Sequence, residues 1–342
     1  MVFIRVMMPL SNEEDAVLFK TFKALALLAL AAALPAAAQE PYPAKPVKMI
    51  VPYGPGGATD IIARIVGQKL TESLGQSFLV ENRPGANGNI ALEAVAKAAP
   101  DGYTLLVGNV STNTINENVY ESLLKIKPTR DLMGVTKLVD IPHTVDATAN
   151  LPANNIAELI AYCKKEPGKV NFASVGLGSY PHLDMERFER AAGIQLTHVP
   201  YKGGAGQAIP ALISGEVQVA FFNLASLLPH IKSGRLKPLA AETPQRLPEL
   251  PNLPTMAEQG YPGIGTNAWQ GMFAPAATPK PIVDKLHESV AAVLLKPETK
   301  EQLAKQMLNV AVSKSPQEFQ DEVKKETEAW GAFLREAKIK IE

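Results

Sequence analysis

Val51-Pro52-Tyr53-Gly54-Pro55-Gly56-Gly57 and Val199-Pro200-Tyr201-Lys202-Gly203-Gly204 are one local pattern occurring twice, about 150 residues apart. In each copy a short β-branched run ends at Val-Pro-Tyr, glycines follow, and a helical apolar period begins. Upstream of the first copy, Val47 to Val51 reads as a strand. Downstream, Thr59 to Leu74 places Ile61, Ile62, Ile65, Val66 and Leu70 on one helical face, and Gly75 ends it. The second copy lies between a strand over 196–200 and a short helix over 205–213. Two matched strand-to-helix turns in two halves of one chain predict two α/β lobes.

Working outward, the alternation continues. Phe78 to Val80 and Thr104 to Val107 read as strands, with an Ala-rich helix over 90–98 between them. This βαβαβ order implies a parallel sheet with helices on both faces. It resumes with a helix over 154–165, a strand over 170–174, a helix over 181–192 and a strand over 217–222. After Pro275 the pattern changes to three helical stretches, 280–293, 297–307 and 315–336, with no further strand. The expectation is a two-lobed fold, each lobe a mostly parallel sheet flanked by helices. Residues 39–145 would form the first lobe, 146–268 the second, and 269–342 a helical return to the first. The crossings would fall near 143–147 and 266–271.

Bulk properties exclude several classes. The chain has 342 residues, 46% of them hydrophobic and 20% charged, with formal net charge zero. A sizeable core is available, and no basic stripe marks a nucleic-acid or membrane surface. The His residues are scattered and no HExxH or CxxC occurs, so neither metal nor cofactor is expected. The one cysteine, Cys163, shares an apolar helical face with Ile156, Leu159 and Ile160, which fits a buried thiol. Lys20 and Lys23 precede an apolar run, Ala24 to Leu34, then Pro35 and Ala36-Ala37-Ala38. These are the parts of a secretory signal. The run is well short of the roughly 20 residues of a membrane span. Cleavage is expected after Ala38, giving a soluble periplasmic protein. Glu13, Glu14 and Asp15 are foreign to a signal's basic end, so the true start is expected near Val17 or Leu18.

The glycine turns suit anion capture. A helix N-terminus leaves its first N–H groups unpaired and carries about half a positive charge. Glycines let those groups converge on a ligand. Two such loops facing across a cleft would hold the ends of a dicarboxylate. The alternative, two ordinary tight turns, stays open. Neither loop is a P-loop or a dinucleotide turn. The candidate ligand residues of the first loop are Tyr53, Pro55, Gly56, Gly57, Ala58, Thr59 and Asp60. Ser111 and Asn113 follow the strand at 104–107. Ser174, Gly176, Gly178, Ser179 and His182 form a third loop and helix start. Tyr201, Lys202 and Gly203 form the echo, and Asn223 ends the strand at 217–222. His182 either contacts ligand or caps its helix. Asp60 either complements the helix dipole or orients a ligand amine or water. Lys202 either pairs with a carboxylate or is an exposed lysine. Trp269-Gln270 reads as hinge packing or as pocket wall. No Gly-x-Ser-x-Gly and no assignable Asp/His pair accompany the serines, so no catalysis is expected.

The sequence resembles the substrate-binding receptors of tripartite tricarboxylate transporters, the Bug-type family. The resemblance spans about residues 42–336 and rests on ordered motifs. They are Ile50-Val51-Pro52-Tyr53 with Gly56-Gly57-Ala58-Thr59-Asp60, then Glu81-Asn82-Arg83-Pro84-Gly85-Ala86 and Asp101-Gly102-Tyr103-Thr104. His182-Leu183, His198-Val199-Pro200-Tyr201-Lys202-Gly203, Leu253-Pro254-Thr255-Met256-Ala257-Glu258 and Ala274-Pro275 complete them. It implies a type II periplasmic-binding fold and a small carboxylate held largely by backbone amides and ordered waters. It also implies delivery to the permease subunits of such a transporter by a monomeric receptor. A sensor-kinase ectodomain is the alternative partner. Leu177 stands where the family commonly has Asn, which favours an aromatic carboxylate over a di- or tricarboxylate.

Overall fold

Strand β1, Val47–Val51, pairs in parallel with β2, Phe78–Asn82, and with β3, Thr104–Asn109. The helix Ala58–Leu74 returns the chain between β1 and β2, burying Ile62, Ala63, Val66 and Leu70. It stops at Gly75, whose φ of 70° permits the left-handed cap that a side chain disfavours. The computed structural model describes residues 42–337. The expected leader, its cleavage site and the alternative start lie outside the described residues.

Beyond β3 the chain forms helical turns over Ser111–Ile115 and Asn116–Val119, then β4, Leu132–Ile141. The second sheet begins at once with β5, His143–Thr148. It adds β6, Asn171–Ser174; β7, Thr197–Pro200; β8, Val219–Asn223; and β9, Leu236–Ala241. Strand β10, Ala268–Pro275, and the two-residue β11, Asn309–Val310, complete the first sheet. The orders are β11-β4-β10-β3-β1-β2 and β7-β6-β8-β5-β9. The lobes, the flanking helices and the helical return match the two-lobed expectation.

Both sheets are mixed rather than mostly parallel. Pairs among β1, β2 and β3, and among β6, β7 and β8, are parallel. Strands β10, β4, β11, β5 and β9 pair antiparallel. The reason is the double crossing: β4 leaves the first lobe and β10 re-enters it beside β4, so the two run in opposite directions. The first crossing is Pro142 alone, just ahead of the residue-145 boundary, because His143 already pairs with Asn223 in the second sheet. The expectation of no strand after Pro275 fails at β11, which edges β4.

The C-terminal helix, Pro316–Glu336, is capped by Ser315, whose hydroxyl accepts from Glu318 N–H at 3.1 Å. It lies on the first sheet. Phe319 reaches the strands where Gly134 and Gly271 leave room: a Cβ at Gly271 would sit 2.4 Å from the Phe319 ring. Trp269 meets Phe319 edge-on at 5.4 Å and donates from Nε1 to Glu326 Oε2 at 2.7 Å. It is therefore core packing. The second lobe closes on Phe172, Met185, Phe188 and Phe221, with Cys163 buried among them as expected.

Candidate functional site

The first glycine loop is braced from within. Asp60 Oδ2 accepts from Gly56 N–H at 3.1 Å and from Arg64 Nε at 3.0 Å, and Oδ1 accepts from Asn82 Nδ2 at 3.0 Å. Asn82 also donates to Tyr53 O at 2.9 Å. Burial alone would raise the Asp60 pKa, yet the bonds from Arg64, Asn82 and Gly56 hold it below the usual carboxylate value. Both oxygens are occupied, by Gly56, Arg64 and Asn82. Pro55 and Gly56 face outward and are exposed, whereas Gly57, Ala58 and Thr59 are buried. Thr59 donates its hydroxyl to Gln270 Oε1 at 2.8 Å. Tyr53 is buried and its hydroxyl donates to Asn109 Oδ1 at a long 3.4 Å. Burial raises this phenol well above its ordinary pKa, so it stays neutral.

The loop at 174–179 spends its polar groups on itself. Ser174 Oγ donates to Gly176 O at 3.0 Å, accepts from Gly176 N–H at 3.1 Å and meets His198 Nε2 at 2.6 Å. Ser179 donates to Gly176 O at 2.6 Å. His182 Nδ1 accepts from Gly178 N–H at 3.1 Å and stacks on His198 at 4.1 Å. The capping alternative for His182 is thus the one realised. Burial lowers the His182 pKa to about 4, so it is a neutral acceptor at neutral pH. Ser174, Ser179 and the Gly176 and Gly178 amides are thus all hydrogen-bonded within the protein. A tight turn satisfies its own donors before it offers any.

In the echo loop Tyr201 turns outward, donating to Glu216 Oε1 at 2.9 Å, and Lys202 is the exposed lysine of the two alternatives. Gly203 is the residue that crosses: its carbonyl accepts from Gly54 N–H at 3.1 Å, joining the two glycine loops directly. A Cβ on Gly54 would lie 2.7 Å from that oxygen, so only glycine permits this approach.

Two further bonds close the same seam. Ser111 Oγ accepts from Tyr180 N–H at 3.0 Å, and Tyr120 donates its hydroxyl to Leu177 O at 2.5 Å. The structure therefore brings together Tyr53, Asn109 and Ser111 of the first lobe with Tyr180, Asn223 and His143 of the second. Tyr180 OH lies 2.6 Å from His143 Nε2, and burial pushes the His143 pKa down to about 3. Asn223 caps the helix Leu224–Lys232 through its side-chain oxygen. Asn113, on the same turn as Ser111, is buried: its Oδ1 accepts from Thr112, while its Nδ2 has no partner. None of the six side chains at the seam is cationic at neutral pH. Backbone dipoles and neutral donors are what the seam offers an anion.

Sequence reasoning missed Tyr180, His143 and Tyr120. Tyr180 precedes Pro181 and reads as a helix start. His143 follows Pro142 and reads only as part of a crossing. Their partners are 69, 37 and 57 positions away, so no local pattern carried them.

Comparison with known proteins points one way. The family model for the tripartite tricarboxylate transporter family receptor matches residues 62–339. Protein BugT of Bordetella pertussis is 36% identical over 300 residues, covering 88% of this chain and 91% of BugT. A Rhodopseudomonas palustris protein solved with adipate superposes with a TM-score of 0.83 at 35% identity, covering 87% of this chain and 99% of that one. The periplasmic binding protein BugD superposes with a TM-score of 0.82 at 35% identity, again covering 87% and 99%.

Proposed function

Because this chain belongs to the tripartite tricarboxylate transporter receptor family, whose members are solute-binding proteins and not enzymes, we propose that it captures a small organic carboxylate in the periplasm and delivers it to the membrane subunits of such a transporter. The observation that carries the reading is the seam. Two matching loops from opposite lobes meet at Gly54 and Gly203, beside the neutral polar side chains of Tyr53, Asn109 and Ser111 and the Tyr180 amide. The binding of adipate by a structural relative supports a carboxylate. The ligand-binding set we assign is Tyr53, Thr59, Ser111, Tyr180 and Asn223, with Gly54 and Gly203 as the closing contact.

A thermal-shift screen of aliphatic and aromatic acids on the mature chain tests this. A ligand at about 100 times its Kd stabilises by roughly 2.7 kcal/mol. No shift with any mono-, di-, tri- or aromatic carboxylate would defeat the reading. Half-buried Leu177 beside the seam favours aromatic acids; a response to succinate and citrate with none to benzoate would reject that part alone.

A further inference from the structure

A groove of about 500 Å³, open to solvent, is built by both lobes beside the glycine loops. The first lobe supplies Pro55 and Gly56, which follow directly on the Gly54 contact. The second supplies Gly206, Ile209, Pro210 and Ile213 of the helix Ala205–Ser214. The two walls approach closely, since a Cβ on Gly206 would lie 2.5 Å from Pro55 O. Parting the lobes would carry Pro55 away from Gly206 and take the groove apart.

The lining is apolar with a cationic edge. Pro55 and Pro210 are exposed and Ile213 is half-buried. Pro210 sits inside its helix, where a proline weakens the backbone ladder, so folding does not call for this exposed apolar residue. His230 and Arg235 complete the lining from the helix Leu224–Lys232 and the turn before β9. Arg235 is exposed, and its polar partners are neutral. Its Nη2 donates to His230 Nδ1 at 2.7 Å and its Nε to Ser233 Oγ at 3.1 Å. Partial burial and the Arg235 charge lower the His230 pKa, which keeps Nδ1 an acceptor. Among the described residues Arg235 is in no ion pair within 4.0 Å, and no acid lines the groove. Glu216, just past the helix Ala205–Ser214, is off the lining and accepts from Tyr201. Lys232, exposed at the end of the other helix, adds charge of the same sign.

We propose that this groove docks an extracytoplasmic loop of the transporter's membrane subunit, a short segment of apolar side chains with one carboxylate. The apolar side chains lie on Pro55, Pro210 and Ile213, and the carboxylate pairs with the Arg235 guanidinium, whose planar fork suits it. Because both lobes build the groove, the segment binds the closed receptor in preference to the open one, and so favours a loaded receptor over an empty one. The proposal rests on the delivery reading above and names the surface that delivery uses.

The test titrates the mature receptor into proteoliposomes that hold the membrane subunits of the same organism's tripartite tricarboxylate transporter. Uptake is followed with radiolabelled adipate, succinate, citrate or benzoate, whichever the acid screen shows the receptor to hold. Arg235→Glu and Pro210→Glu, both at exposed positions, should raise the receptor concentration for half-maximal uptake by about tenfold or more. Lys300→Glu, exposed on the helix Pro297–Ala304 of the first lobe, should leave it unchanged. Added salt should weaken the wild type more than Arg235→Glu, because screening acts on the pair that the variant has lost. Calorimetry should give both groove variants the wild-type Kd for the acid. If the wild type drives uptake and either groove variant stays within about threefold of it, the groove is rejected and delivery stands. If the wild type drives no uptake, delivery fails and the groove assignment with it. A groove variant that loses acid binding, or a second acid-binding event that Arg235→Glu abolishes, would make this a small-ligand site and overturn the proposal.

Discussion

Replacing Gly54 by Ala should weaken ligand binding without weakening the fold. Gly54 N–H donates to Gly203 O at 3.1 Å, and a Cβ on Gly54 would sit 2.7 Å from that backbone oxygen. The oxygen cannot rotate away as a side chain would, so closing the lobes requires a shift of the loops. The loss has two parts. The hydrogen bond contributes about 1 kcal/mol, and forcing a methyl into a filled site costs about 1–3 kcal/mol. Closure therefore becomes harder by roughly 2–4 kcal/mol, and Kd rises about 30- to 1,000-fold. Gly57→Ala is the control in the same loop, since its Cβ would meet Ala205 Cβ at an ordinary 3.8 Å. Titration calorimetry with the acid found in the screen measures both, and urea denaturation of the free protein checks that stability is unchanged. A Gly54→Ala protein that binds within about threefold of wild type would refute the view that this contact closes the receptor.

Three further outcomes follow from the same geometry. Ser111→Ala removes the acceptor for Tyr180 N–H and should raise Kd by about five- to tenfold, equivalent to about 1 kcal/mol, read by calorimetry; an unchanged Kd would place closure elsewhere. Asp60→Ala strips three hydrogen bonds from the first loop and should cost about 1–3 kcal/mol in urea denaturation, along with slower ligand capture; a stable, tight-binding variant would show the brace to be dispensable. Asp146 is fully buried and burial raises its pKa to about 8. The folded protein then holds this proton where the unfolded chain, with an Asp pKa of about 4, has lost it. Its contribution is intact below pH 4 and lost as pH rises to 8, so the gain in stability of Asp146→Asn over wild type should grow across that window. The upper limit is about 5 kcal/mol, and a difference independent of pH would contradict the assignment.

The sequence carried the lobes because each lobe begins with local signals. Valine-rich runs, periodic helices such as Ala58–Leu74 and glycine stops are decided by residues within one or two turns of each other. The same applies to the Val-Pro-Tyr echo, which located the facing loops. Strands β4, β5, β9 and β10 escaped notice. They are buried between neighbours or carry small and polar residues, so no clean alternation marks them. Their identity follows from which partner lies alongside, and that is a property of the whole chain.

Within the loops, residue type could name donors but not their destinations. Ser174, Ser179, Asp60 and His182 all carry groups suited to a ligand, and each is engaged by partners two to four residues away, with His198 added at Ser174 and Asn82 at Asp60. Ser111 and Tyr180 meet only because the two lobes come together. Local chemistry thus marked two matched glycine loops at helix starts, one in each half of the chain. Tertiary structure decided that Gly54 and Gly203 meet across the lobes and which polar groups the protein itself holds, because burial and distant pairing are set by the packed whole.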